Sequence, residues 1–254
     1  MAPIYSGNFL SIYSIMVGEF ENEHSYIDRV KLFAVDHNSD VKVALSPTGE
    51  ILTYQEPYAP ISCVDNYGND LLPLVEAIDN NYCMVYPDDY LILDLGDLDV
   101  SQTAKLVLRA NLDFKKEIWM CIHVQVLNEA GEWADRAILR TRNNWSTIIV
   151  DLTEYLPNPD GTLKIRLYFT GMHKIDYVGL DTTPQADYEL HYAILMSAIH
   201  SVEGNVRWKL LFSDNIYAEL IPEQQIKFAF ILPNNSEEAR TFIIHVEGHY
   251  ETVS

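Results

Sequence analysis

The sequence predicts an all-β protein built as a sandwich or barrel. Three observations predict it: apolar side chains alternate with polar ones in several stretches, turn-forming residues separate those stretches, and convincing amphipathic helices are missing. In an extended chain successive side chains point to opposite faces, so alternation marks a strand with one buried face. Leu91, Leu93 and Leu95 form the first such ladder. Ile118, Met120, Ile122, Val124 and Val126 form the next, and Leu163, Ile165, Leu167 and Phe169 another. Val, Ile, Tyr and Phe are abundant in these runs, as a pleated surface favours. The separators are Ser46-Pro47-Thr48-Gly49, Asn128-Glu129-Ala130-Gly131, Asn158-Pro159-Asp160-Gly161 and Pro233-Asn234-Asn235, each rich in residues that bond or bend a turn. One short helix is a candidate, Asp70 to Ile78, with Pro73 in its first turn.

The chain has 254 residues, 48% of them apolar, which is enough for a sizeable core. No run of about 18 apolar residues occurs, so no membrane insertion is expected. Met1-Ala2-Pro3-Ile4-Tyr5 has no basic region leading into an apolar one, so no secretory leader is read there. The formal net charge of −20 repels nucleic acid and anionic membranes. The densest basic cluster, Arg136, Arg140 and Arg142, sits among acidic neighbours. The charge suits solubility and permits a cation partner. Cys63, Cys83 and Cys121 are too far apart in sequence for a Cys-x-x-Cys clip. They read as buried thiols, with a Cys63–Cys83 disulfide open in an oxidising compartment.

The sequence also repeats itself. Asp79-Asn80-Asn81-Tyr82 and Asp214-Asn215-Ile216-Tyr217 are 135 positions apart, as are Pro87 and Pro222, and Leu91, Leu93, Leu95 map onto Ile226, Phe228, Phe230. Without a gap, Lys105 then matches Arg240 and Val107 matches Phe242. A second echo joins Ile27-Asp28-Arg29-Val30-Lys31-Leu32 to Ile175-Asp176-Tyr177-Val178-Gly179-Leu180. A period of this length implies duplicated sandwich units. The expected organisation is a partial β piece over 1–60, a full unit over 61–184 and a second partial piece over 185–254. Partial pieces expose edges and apolar surface, so the two end pieces are expected to pack together, onto the central unit, or against another chain as a homo-oligomer.

Residues 79–183 resemble the galactose-binding-like superfamily of discoidin and carbohydrate-binding jelly rolls. Asp79-Asn80-Asn81 is similar to its Asp-Gly-Asn loop, with Asn80 in place of the glycine. Asp94-Leu95-Gly96 resembles the end of its hydrophobic strand, and Gly131-Glu132-Trp133, after Val124 to Leu127, resembles its turn and Gly-x-Trp. The resemblance implies a jelly-roll sandwich, to which the repeat adds partial β-sandwich pieces at both ends. It also implies a calcium at the Asp79 loop, with Asp79 giving a carboxylate and Asn81 an amide oxygen. The competing reading is a turn bonded by its own side chains.

Catalytic signatures are missing. No Gly-x-Gly, Gly-x-Ser-x-Gly, His-Glu-x-x-His or phosphate-loop Gly-Lys-Ser/Thr occurs, so no enzyme is expected. His245 and His249 sit in an extended pattern, about 13 Å apart, too far to share a metal. Asp36-His37 reads as a surface turn. Trp133, Trp145 and Tyr155 flank loops and can offer flat faces to a sugar or pack inside, and Trp119 is expected on the outer face. The reading is a non-catalytic binding or adhesion module for a glycan or protein, from an extracellular or cell-surface protein. A structural assembly role and an accessory domain of a glycoside hydrolase are the alternatives.

Overall fold

The computed structural model describes residues 10–20, 22–112, 120–235 and 239–252; Ile118, Trp119 and the first five residues lie outside these. The chain divides into two compact units, one of residues 1–39 with 187–254 and one of residues 40–186. Residues 40–60, grouped with the first piece by sequence, thus belong to the continuous unit.

In chain order, β1 (Leu10–Gly18) and β2 (Glu23–His37) open the first unit. The second unit carries β3 (Lys42–Leu45), β4 (Ile51–Tyr54), β5 (Ser62–Asp65), β6 (Cys83–Val85), β7 (Tyr90–Asp94) and β8 (Lys105–Leu112). It continues with β9 (Ile122–Leu127), β10 (Trp133–Leu139), β11 (Ser146–Asp151), β12 (Lys164–Phe169) and β13 (His173–Asp181). The first unit resumes with β14 (Glu189–Tyr192), β15 (Ile194–His200), β16 (Gly204–Asn205), β17 (Ala218–Leu220), β18 (Gln225–Pro233) and β19 (Ala239–Thr252). The expected helix over 70–78 is a single 3-10 turn, Leu72–Leu74. It stops there because the Val75 carbonyl accepts from the Val178 N–H of β13 (2.9 Å) and leaves the helical ladder.

The second unit has a five-stranded sheet in the order β10-β9-β12-β7-β5 and a four-stranded sheet in the order β11-β8-β13-β6, with a β3-β4 hairpin beside them. The ladders read from sequence face one interior. Leu91, Leu93, Ile165, Leu167, Phe169, Val124 and Val126 come from the first sheet. Leu106, Leu108, Ala110, Ile175, Val178 and Leu180 come from the second, and all belong to one buried cluster. Each Val, Leu, Ile or Phe among them contributes about 1.5–3 kcal/mol when fully buried, so this cluster is what holds the two sheets face to face.

The first unit has a sheet in the order β1-β18-β15-β16. In its other sheet β2 pairs with β19 along one edge and with β17 and β14 along the other. Its core gathers Ile27, Val30, Leu32 and Ala34 from β2 with Phe228, Phe230 and Leu232 from β18.

The two units share construction details that go beyond generic strand patterning. Asn80 and Asn215 both hold left-handed backbone, with φ of 66° and 63°, and so do Asp88 and Glu223, at 72° and 70°. Few non-glycine residues adopt this region; finding it twice at the 135-residue spacing marks corresponding turns. The second echo is equally concrete. The β2–β19 register shifts at Asp28, between the pairs Ile27↔Gly248 and Arg29↔Glu247. The β13–β8 register shifts at Asp176, between Ile175↔Ala110 and Tyr177↔Arg109. Each bulged aspartate bonds the left-handed turn: Asp176 Oδ1 accepts from Asn80 N (3.0 Å), and Asp28 Oδ1 from Asn215 N (3.1 Å).

One correction follows. These registers make Glu247, opposite Arg29, the counterpart of Arg109, opposite Tyr177, a spacing of 138, so the gapless match fails beyond β7. Lys105 pairs with Asp181 and its counterpart is Ile243, not Arg240; the counterpart of Val107 is His245, not Phe242. The first unit has, among the described residues, no counterparts of β9, β10 and β11.

Candidate functional site

The interior side chains of the five-stranded sheet fix which residues face outward. On β12, Ile165, Leu167 and Phe169 point in, so Arg166 and Tyr168 point out. Cross-strand pairs share a face, and Arg166 lies opposite Gln125 on β9 and Ile92 on β7. Tyr168 lies between Tyr90 and His123, and Asp135 and Trp133 on β10 stand opposite Gln125 and Leu127. One sheet face therefore collects Tyr90, His123, Gln125, Trp133, Asp135, Arg166 and Tyr168.

These side chains are bonded to one another. Arg166 Nε donates to Gln125 Oε1 (2.6 Å), and Gln125 Nε2 donates to Asp135 Oδ1 (2.6 Å). The other Asp135 oxygen lies 2.9 Å from His123 Nδ1. The Arg166 guanidinium lies 5.1 Å from the Trp133 ring centre and 5.4 Å from that of Tyr90, within cation–π range. Tyr168 Oη donates to Asp88 Oδ1 (2.7 Å), and its ring meets His123 edge-on. Burial opposes ionisation of Asp135, but bonds from Gln125 and His123 and the charges of His123 and Arg166 outweigh it, holding the carboxyl below its usual range. The face thus presents a fixed cation, a fixed anion, an imidazole, an amide and flat rings. Such a surface can exchange hydrogen bonds with hydroxyl groups and cover an apolar ring face.

Of the residues singled out by sequence, Trp133 lies on this face. Tyr155 and Trp145 do not join it in any ring contact. Tyr155 follows β11, with the Arg136 guanidinium 4.5 Å from its ring centre. It lines an open depression of about 450 Å³ with Leu127, Asn128, Arg136, Pro157 and Pro159. Trp145 precedes β11 in the other sheet, where Arg109 covers its ring at 4.8 Å and Tyr82 packs at 5.7 Å. The three rings are thus paired separately, and each has a guanidinium against its face. Sequence reasoning missed Tyr90, His123, Gln125, Asp135, Arg166 and Tyr168. For all but Asp135 the signal was present, because they are the alternating partners of the core ladders.

The Asp79 loop has the geometry of a self-bonded turn. Asp79 Oδ1 accepts from Asn81 N (2.9 Å), and Asp79 Oδ2 accepts from Asn81 Nδ2 (2.8 Å). Asp88 and Asp89 are spent on Tyr168 Oη and Tyr86 N. Calcium takes six to eight oxygens, and a loop whose amide nitrogen faces its own carboxylate does not fit that need.

Elsewhere, Asp36 and His37 are buried at the end of β2 rather than in a surface turn. The Arg240 guanidinium holds both Asp36 carboxylate oxygens, with Nη2 2.6 Å from Oδ2. Glu189 and His191 lie beside Asp36, but that carboxylate is already neutralised by arginine, which disfavours a metal there. His245 and His249 have separate partners, His245 lying 3.4 Å from Glu247 and His249 stacking on Tyr26. The three cysteines are buried, and Cys63 and Cys83 are free thiols. Burial pushes the Cys63 and Cys83 thiols up to about 12, so neither is a nucleophile at neutral pH. Among the described residues, no helix is long and apolar enough to cross a membrane.

The sequence matches no protein-family model and no curated protein.

Proposed function

We propose that the protein is a non-catalytic binding module of an exported or surface protein, and that the outer face of β10-β9-β12-β7 holds a glycan. The observation that carries this reading is the Arg166 guanidinium between the Tyr90 and Trp133 rings, braced by the Gln125–Asp135–His123 bonds. Bracing matters because polar groups already held in place lose little freedom when a ligand arrives. The motifs similar to galactose-binding-like jelly rolls, and a strand order in which two antiparallel sheets bury one core, support the same reading.

A glycan array probed with the whole chain, followed by calorimetry on any ligand found, tests it. Trp133→Ala and Arg166→Ala should each weaken binding at least ~10-fold, the loss of about 1.4 kcal/mol expected for one stacking or charged contact. Trp145→Ala, in the other sheet, should not. Silence across the array, or equal binding by the Trp133 variant, would remove the proposal.

A further inference from the structure

We propose that the first unit is completed by a second copy of this chain, which docks along the free edges of β1 and β19. The two units of one chain supply the argument. In the second unit, β12 pairs with β9 and β8 pairs with β11. In the first unit the corresponding strands, β1 and β19, keep only one partner each among the described residues, β18 and β2.

The consequence is an open interior. Phe242, Ile244 and Val246 lie opposite Ala34, Leu32 and Val30, which are core residues, so they point into the sandwich. Yet they are 43%, 36% and 47% exposed. Their counterparts at the 138 spacing, Ala104, Leu106 and Leu108, are all 0% exposed. Tyr13, Ile15 and Val17 on β1 are likewise only partly buried against the core. The two open edges border the same side, because the Tyr13 and Phe242 rings lie 4.8 Å apart and Arg240 Nη1 donates to Tyr13 Oη (3.0 Å). Apolar surface at an unpaired strand edge is a pairing site.

The pattern of β1 favours a second copy as the occupant, and its lack of charge permits one. A chain of net charge −20 repels itself over most of its surface. β1, Leu-Ser-Ile-Tyr-Ser-Ile-Met-Val-Gly, carries no charge at all, so two copies can pair there without penalty. It also has the right pattern for the strand that is missing: an inner Tyr13, Ile15, Val17 row matches the inner Ile122, Val124, Val126 row of β9. A two-fold axis makes such pairing antiparallel and closes it at two copies. On β19 the same axis centred at Val246 sets His245 against Glu247 of the second copy and Phe242 against its Tyr250, with no like charges opposed.

Light scattering after size exclusion tests this on the whole chain. The native chain should elute at twice 29.1 kDa at high micromolar concentration. Val246→Glu, which sets its carboxylate against that of the second copy across the axis, and Met16→Lys, on the neutral strand, should each elute at the single mass. Both positions are well exposed in one chain, and far-ultraviolet dichroism checks that the variants fold. As a second readout, amides of β1 and β19 should exchange more slowly as the native chain is concentrated. A native chain that stays at the single mass, or variants that remain dimeric, or exchange in β1 and β19 that ignores concentration, would each overturn the proposal.

Discussion

Leu108 and Val246 occupy corresponding positions, and truncating them should cost very different amounts. Leu108 is fully buried on β8, paired with Ile148 on one side and Val178 on the other. Leu108→Ala removes buried methyl groups and leaves a cavity, at a cost of about 2–5 kcal/mol. Val246 is 47% exposed. Full burial of valine contributes at least ~1.5 kcal/mol, and only about half of that surface is covered here, so Val246→Ala should cost under ~1 kcal/mol. The assay is urea unfolding of the whole chain, diluted until light scattering gives the single mass. The midpoint should move strongly for Leu108→Ala and slightly for Val246→Ala with little change in slope. Equal costs at that dilution would mean that something covers β19, and the argument for an open first unit would fail.

Other expectations follow from buried groups. Asp176 is fully buried and bonds Asn80 N and the Arg109 guanidinium. Asp176→Ala strands a cation and a turn N–H, and should cost about 3–5 kcal/mol in urea unfolding; a loss under ~1 kcal/mol would contradict it. His173 is buried, and burial lowers its pKa from 6.5, with only partial relief from the bond to the Gly171 carbonyl. The unfolded chain therefore takes up this proton first, so stability should fall as pH drops below 6.5 toward the lower folded value. Urea midpoints measured on either side of that pH check this, and His173→Gln should flatten the decline; an equal decline would refute the assignment. Millimolar calcium should leave the melting temperature unchanged, because the Asp79 loop bonds itself; a rise would restore the calcium site.

Much of the second unit's core was legible because alternation reports burial directly. Leu91, Leu93, Ile165 and Leu167 read as inward and are fully buried. The 135-residue repeat was legible in its turns, since left-handed Asn80 and Asn215 need a particular residue type. It was not legible through β19. There the corresponding positions carry different chemistry, Lys105 facing Asp181 in one unit and Ile243 facing Phe33 in the other. Only strand register reveals the three-residue offset. The candidate face was half legible. Trp133 was found because a tryptophan beside a turn is conspicuous. Arg166 and Gln125 were not, because a polar residue alternating with core residues looks the same whether it is solvated or braced, and Asp135 on β10 has no buried sequence neighbour to mark it. The helix over 70–78 failed because Val75 gives its carbonyl to β13, a long-range bond that local sequence does not record.

Amide hydrogen exchange along β8 and β19, followed residue by residue in the single-mass chain, separates a closed unit from one with a bare flank. The account predicts slow exchange through Lys105–Leu112, where β11 and β13 flank the strand. Through Ala239–Thr252, slow amides bonded to β2 should alternate with fast ones facing water. Uniformly slow exchange through β19 would contradict it.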